Sequence, residues 1–277
     1  MYRNLPRWIS RLTFALLLGG PFPTAHPHES WIEPERFRVS EGALIIAAIR
    51  VGEGFKGTSY PYIPTEYDRL TISDGHGPVR SITGRLGDLP AISTRPVRKG
   101  LHVLAHASRP ARLTYGSFEK FRQFLTSEGL EWVISAHRQR RLPPRGFTER
   151  FRRFDKSLLE VGESAGNDRV LGMRLELVAL KNPYLGKPNR IPVRLLFEGN
   201  PVADAQISVF HKSSTSGGSV RIKLRSDKRG EARIALPLTG RYLVSAVQMV
   251  MPMTGRDGAV WESLWASLTF EIGSPEP

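Results

Sequence analysis

Ile191-Pro192-Val193-Arg194-Leu195-Leu196-Phe197 and Ile207-Ser208-Val209-Phe210, followed by residues 220–225 and 231–236 on either side of Ser226-Asp227-Lys228-Arg229-Gly230, decide the fold. Ile191, Val193, Leu195 and Phe197 take every second position, the spacing of a strand with one buried face, and Ile207 and Val209 repeat it. The Asp- and Gly-bearing segment from 226 to 230 supplies a hairpin turn. Residues 242–250 and 265–272 add further apolar runs, for about seven strands in all. Short strands with regular turn signals predict an immunoglobulin-like or transthyretin-like sandwich over 172–273. Pro192, without an amide hydrogen, predicts an edge position for its strand.

Upstream, residues 37–39, 43–51, 69–73, 79–82, 101–105 and 111–115 are short apolar or alternating segments broken by Gly, Pro and Asp, so 26–116 reads as a β-rich domain. Between the two halves the period changes. Phe118, Phe121, Phe124 and Leu125 recur at helical spacing, as do Phe147, Phe151, Phe154 and Leu158, and residues 131–141 read as a helix stopped by Pro143-Pro144. The expectation is therefore a mainly β protein, two β-sandwich units with a helical, arginine-rich insertion at 117–163 between them. Arg150, Arg152 and Arg153 belong to the densest basic run in that insertion and are candidates for docking an anion or a partner.

Residues 1–25 read as a cleavable signal peptide: Arg3, Arg7 and Arg11, an apolar stretch from Leu12, then Pro21, Pro23 and Thr24-Ala25. The apolar stretch falls short of the roughly 20 residues a spanning helix needs, and no later stretch qualifies, so no transmembrane segment is expected after cleavage. The implied location is periplasmic or extracellular. Cleavage after Ala25 lowers the formal charge of +14 to about +11 by removing three arginines and no acid. In the cytosol such a charge would suggest nucleic acid; after export the available polyanions are lipid head groups, polysaccharides and acidic protein surfaces, and nucleic acid drops out. With no cysteine in 277 residues, disulfides, thiolate metal sites and cysteine nucleophiles are excluded.

The strongest chemical feature is His26-Pro27-His28-Glu29. A cut after Ala25 makes His26 the amino terminus, whose α-amine and imidazole form a chelating pair. His28, Glu29 and one histidine from elsewhere, His106, are the candidate further ligands for a divalent transition metal such as nickel, cobalt, copper or zinc. Wrapping of a square-planar ion by backbone amides is excluded, because Pro27 has no amide hydrogen to lose. His102 and His106, four apart on a strand, lie roughly 13 Å from one another and cannot share an ion. Gly-x-Ser-x-Gly, His-Glu-x-x-His and phosphate-binding glycine loops are all missing, so no enzyme is expected.

His28-Glu29-Ser30-Trp31-Ile32-Glu33-Pro34 resembles the His-Glu-Phe-Trp-Leu-Glu-Pro opening of an uncharacterised family of exported bacterial proteins, a domain of unknown function often labelled the periplasmic component of cobalt or nickel ABC uptake systems. Phe124-Leu125 with Glu128-Gly129-Leu130, Thr148-Glu149-Arg150, Leu175-Glu176-Leu177-Val178, Asn182-Pro183-Tyr184, Glu198-Gly199-Asn200-Pro201-Val202 and Ala266-Ser267-Leu268-Thr269-Phe270 extend the resemblance over nearly the whole mature chain. It departs at Pro27, which stands where relatives place a small residue, and at Ser30, which replaces an aromatic.

Two readings follow. The first is a periplasmic metal-binding or metal-delivery protein serving a nickel- or cobalt-type system, with an inner-membrane transporter or outer-membrane receptor as partner. The second is a non-catalytic envelope adhesion or assembly module that binds a polyanion, a polysaccharide or a membrane protein. A carbohydrate-binding variant of the second would need exposed rings from Trp31, Trp132 or Trp261.

Overall fold

A computed structural model describes residues 28–75, 77–96, 98–186, 188–213, 218–252 and 258–273. The first half of the chain supplies β1 (Glu29–Pro34), β2 (Arg38–Val39), β3 (Ile45–Glu53), β4 (Lys56–Tyr60), β5 (Tyr67–Asp74), β6 (Arg80–Ser81), β7 (Ile92–Thr94), β8 (Gly100–Ser108) and β9 (Ala111–Tyr115). Two helices, α1 (Phe118–Glu128) and α2 (Trp132–Gln139), precede the long strand β10 (Phe147–Val161). The rest is β11 (Leu175–Ala179), β12 (Arg190–Phe197), β13 (Asn200–Pro201), β14 (Gln206–Ser213), β15 (Ser219–Arg225), β16 (Glu231–Ala235), β17 (Gly240–Val250) and β18 (Ala259–Ile272).

One large sheet runs β15-β14-β17-β18-β10-β8-β5-β6, with β2 and β9 also pairing with β10. Its centre is a parallel pair, β10 with β18, from Thr148↔Ala259 to Ser157↔Thr269. The smaller sheet of β11, β12, β13 and β16 covers one face, and the sheet of β1, β3, β4 and β7 covers part of the other. The fold is thus mainly β and built of sandwiches, as the alternation predicts, and the two sandwiches share their central layer.

Strand periodicity explains how that layer serves both sides. Along β18, Leu264, Ala266, Leu268 and Phe270 face the core under β11 and β12, while Trp261 and Trp265 face α1 and α2. Ile32, Ile45, Ile72, Leu104 and Leu159 fill the core beneath β1 and β3. A fourth cluster joins Trp31 and Phe55 to Phe210 and Leu243. There β4 comes so close that a Cβ on Gly57 would lie 2.7 Å from the Trp31 ring, so only glycine fits. The turn after α1 is likewise glycine's: Gly129, at φ 70°, closes the helix with its N–H on the Leu125 carbonyl.

Two expectations are corrected. The helical insertion ends with α2, and the stretch of Phe147, Phe151, Phe154 and Leu158 is strand β10. Both faces of β10 are covered: Phe147 packs with the helices while Phe154 and Leu158 enter the opposite core, and apolar residues shared between two faces imitate a helical stripe. Pro192 lies inside its sheet, since β12 pairs with both β11 and β16. The β11 ladder stops at Ala179↔Val193, so Pro192 is asked only for its carbonyl, which accepts the Leu180 N–H. No described helix is long and apolar enough to cross a membrane.

Candidate functional site

Strand β1 carries the His-Glu opening onto the large sheet. It pairs with β3, Glu29 opposite Gly52 and Ser30 opposite Val51, and its successive side chains point to opposite sides. His28 and Glu29 line a cleft of about 300 Å³ with Glu53, Glu128, Arg221 and Trp265. Burial raises the Glu29 carboxyl to about 7; the negative charges of Glu128 and Glu53 add to this, while a hydrogen bond to its own backbone and the Arg221 charge oppose it. Arg221 is held by Glu128 at 2.9 Å and by the hydroxyls of Ser208 (2.9 Å) and Ser127 (3.0 Å). The cleft therefore carries three carboxylates, Glu29, Glu53 and Glu128, together with the Arg221 guanidinium and the Lys120 amine.

Ser30 leads to a different centre. The Asp155 carboxylate on β10 accepts from Ser30 Oγ at 2.6 Å, from Ser267 Oγ at 2.9 Å and from His106 Nδ1 at 2.8 Å. All four side chains are buried. The bond from Nδ1 leaves Nε2 of His106 as the second ring nitrogen, buried and without a partner among the described residues, with the Tyr67 ring edge-on at 5.0 Å. A carboxylate on one nitrogen and a bare second nitrogen is the arrangement that orients histidine ligands in metal sites. Arg153, two residues along β10, lies over the Phe151 ring at 4.8 Å and donates to the His28 carbonyl at 3.5 Å. Burial lowers its pKa, against the attraction of Asp155.

A third buried carboxylate, Glu149, accepts from Tyr115 Oη at 2.8 Å and from Ser263 Oγ. Burial raises it to about 7, against the lowering effect of those two bonds. Between an unfolded value of 4.5 and about 7 the native state holds a proton that the unfolded state releases. The stabilisation is complete below 4.5 and lost as pH rises through 7. Glu149→Gln should therefore flatten the fall in stability between pH 5 and pH 8 by up to about 3 kcal/mol, read from urea midpoints at the two pH values. An unchanged pH slope would show that Glu149 is ionised throughout.

The predicted ligands divide between these places. His26 lies outside the described residues, His28 and Glu29 belong to the cleft, and His106 belongs to the Asp155 centre. Among the described residues no three His, Asp or Glu side chains come together as a metal-binding group. His102 is also buried, its Nδ1 3.1 Å from the Gly100 carbonyl. The expectation that Arg150, Arg152 and Arg153 belong to a helical insertion is corrected, because all three lie on strand β10, where each has partners within the fold. Arg150 forks onto Glu262 at 3.2 and 3.0 Å, Arg152 meets Asp68 and the Ser108 carbonyl, and Arg153 is placed as above. Nor are Trp31 and Trp261 exposed, both being fully buried, while Trp132 is half exposed. Sequence reading missed Asp155, Ser267, Glu128 and Arg221. The available signal was the opposite-charge pair Asp155-Lys156 set between Phe154 and Leu158.

A search of curated proteins finds no match. Among solved structures the chain is similar to a tetra-tandem repeat in the extending region of a large adhesion protein, at 9% identity and TM-score 0.22, covering 88% of this chain and 49% of that one. It is also similar to the D0-D1 domain of intimin, at 10% identity and TM-score 0.21, covering 86% and 96%. The chain thus spans about half the length of the first of these structures. The family model for a domain of unknown function, DUF4198, matches residues 25–250, across both sandwiches and the cleft. By that match the chain belongs to the DUF4198 family.

Proposed function

We propose that the mature protein is a non-catalytic, exported binder of a divalent transition metal, nickel or cobalt in the first place, which it captures with His26, His28 and Glu29 and passes to an uptake system. The observation that carries the reading is that His28 and Glu29 line one cleft with Glu53 and Glu128, directly downstream of His26. Imidazole nitrogens and carboxylate oxygens are ligands such ions accept, and neutral imidazole binds them at pH 7. The described residues supply a wall but not a closed ligand set; His26 and, after cleavage at Ala25, its amine complete it. The raised pKa of Glu29 keeps that one carboxyl partly protonated until a cation arrives.

Calorimetry on untagged protein whose amino terminus has been read by mass spectrometry tests this. Nickel or cobalt should bind with a Kd of roughly 1 μM or tighter, and the His26→Ala, His28→Ala double variant should bind at least about tenfold more weakly. Equal, weak binding by both proteins would sink the reading. So would an amino terminus that excludes His26.

A further inference from the structure

On the side of β10 opposite Asp155, Lys156 points into the core between Phe154 and Leu158. Its side chain is completely buried, as are those of Asp168 and Glu176. Lys156 Nζ stands 2.7 Å from Asp168 Oδ1, 3.2 Å from Glu176 Oε1 and 3.0 Å from the Arg169 carbonyl oxygen. Backbone N–H groups fix both carboxyls: Arg169 and Ala179 donate to Asp168, Leu171 and Met173 to Glu176. One amine and two carboxyls are thus immobilised together where water is excluded.

Proton count makes this cluster reactive. Fully ionised, it would carry a net negative charge inside a hydrocarbon core, which is costly. Burial raises the Asp168 pKa, against the opposing attraction of Lys156, and one added proton makes the cluster neutral. In that neutral state an internal proton transfer gives an uncharged amine beside two uncharged carboxylic acids. An amine nitrogen 2.7 Å from a carboxyl oxygen lies about 3.5 Å from its carbon, a near-attack separation.

We propose that Lys156 and Asp168 condense into an intramolecular amide, with Glu176 as the catalytic proton shuttle. The Nζ lone pair forms a bond to Asp168 Cγ, and the Cγ–OH bond breaks. Glu176 takes a proton from Nζ and gives its own to the departing hydroxyl, which leaves as water. Lysine amine and aspartic acid become amide plus water, so no oxidant, metal or cofactor takes part. The product closes a loop from 156 to 168 and welds β10 to the connection entering β11.

Trypsin digestion of the unfolded full-length protein followed by mass spectrometry tests the bond. Cleavage at Arg153 and Arg169 should release residues 154–169 as one peptide, uncut at Lys156 and lighter than its sequence mass by about 18 Da, the water expelled. Its fragment spectrum should lack backbone ions from 157 to 167, because those bonds lie within a ring. Cleavage at Lys156 with full mass would leave an ordinary buried ion pair and overturn the proposal. A light peptide with a complete fragment ladder would be a succinimide and would overturn it equally. Glu176→Gln should restore the full mass and the cut, and an amide still formed in that variant would remove Glu176 from the mechanism. Metal affinity is not involved in any of these readouts.

Discussion

Asp155→Ala is expected to lower the unfolding free energy by about 3–5 kcal/mol, the range for breaking a buried charge network by removing one partner. Ser30, Ser267 and His106 would each lose their acceptor, and Arg153 would lose the negative charge it faces. These donors sit on β1, β18 and β8, so the carboxylate ties the two strands that flank its own in the large sheet to β1 in the sheet packed against it. Its removal leaves desolvated donors with nothing to bind, a larger penalty than the net value of the bonds themselves. Asp155→Asn keeps the shape and should cost less. Urea unfolding at pH 7 measures both, and a loss below about 1 kcal/mol for the alanine variant would mean that water replaces the carboxylate.

Trp261→Ala should cost a similar amount, about 3–5 kcal/mol, and act on a different part of the molecule. The ring is fully buried against α1, α2 and β9, its Nε1 donating to His137 Nδ1 at 3.0 Å. Arg140 lies over it at 4.6 Å, and the edge of Trp132 meets it at 6.1 Å. Without it α2 loses its main anchor to the sheet. Hydrogen exchange in 132–139 should speed up far more than in 207–211, whereas uniform acceleration would mean that the helices unfold only with the whole protein. Trp261→Phe, which keeps the packing and loses the donor, should fall between the two.

Much of this architecture is written locally. Alternation in 191–197 and 207–210 and the apolar run at 242–250 correspond to β12, β14 and β17, and the stripe at Phe118, Phe121 and Leu125 to α1. Local pattern fails where two cores claim one strand. Phe147 and Phe154 lie seven apart and face opposite ways, so β10 presents no single apolar face and reads as a helix. The site is less legible for a related reason. Asp155 meets Ser30 across 125 positions and Ser267 across 112, and Arg221 meets Glu128 across 93. Which carboxylate meets which donor depends on strand order, and no spacing within a single strand encodes it. Only His28 and Glu29, adjacent in sequence and in the cleft, could be paired in advance.

The parallel pair at the centre of the sheet also sets an order of events. Arg150 and Glu262 are 112 positions apart, and a parallel partner cannot be reached through a short turn. While the chain is still emerging, β8 and β9 can zip onto one edge of β10 and β2 onto the end of the other, but the stretch from Thr148 to Ser157 on that second edge stays bare until β18 arrives. Contacts of such long range form slowly, and an open edge invites foreign strands in the interval. The sheet is therefore most vulnerable in the interval between the emergence of β10 and that of β18, and a chain handled within it remains pliant and unlocked.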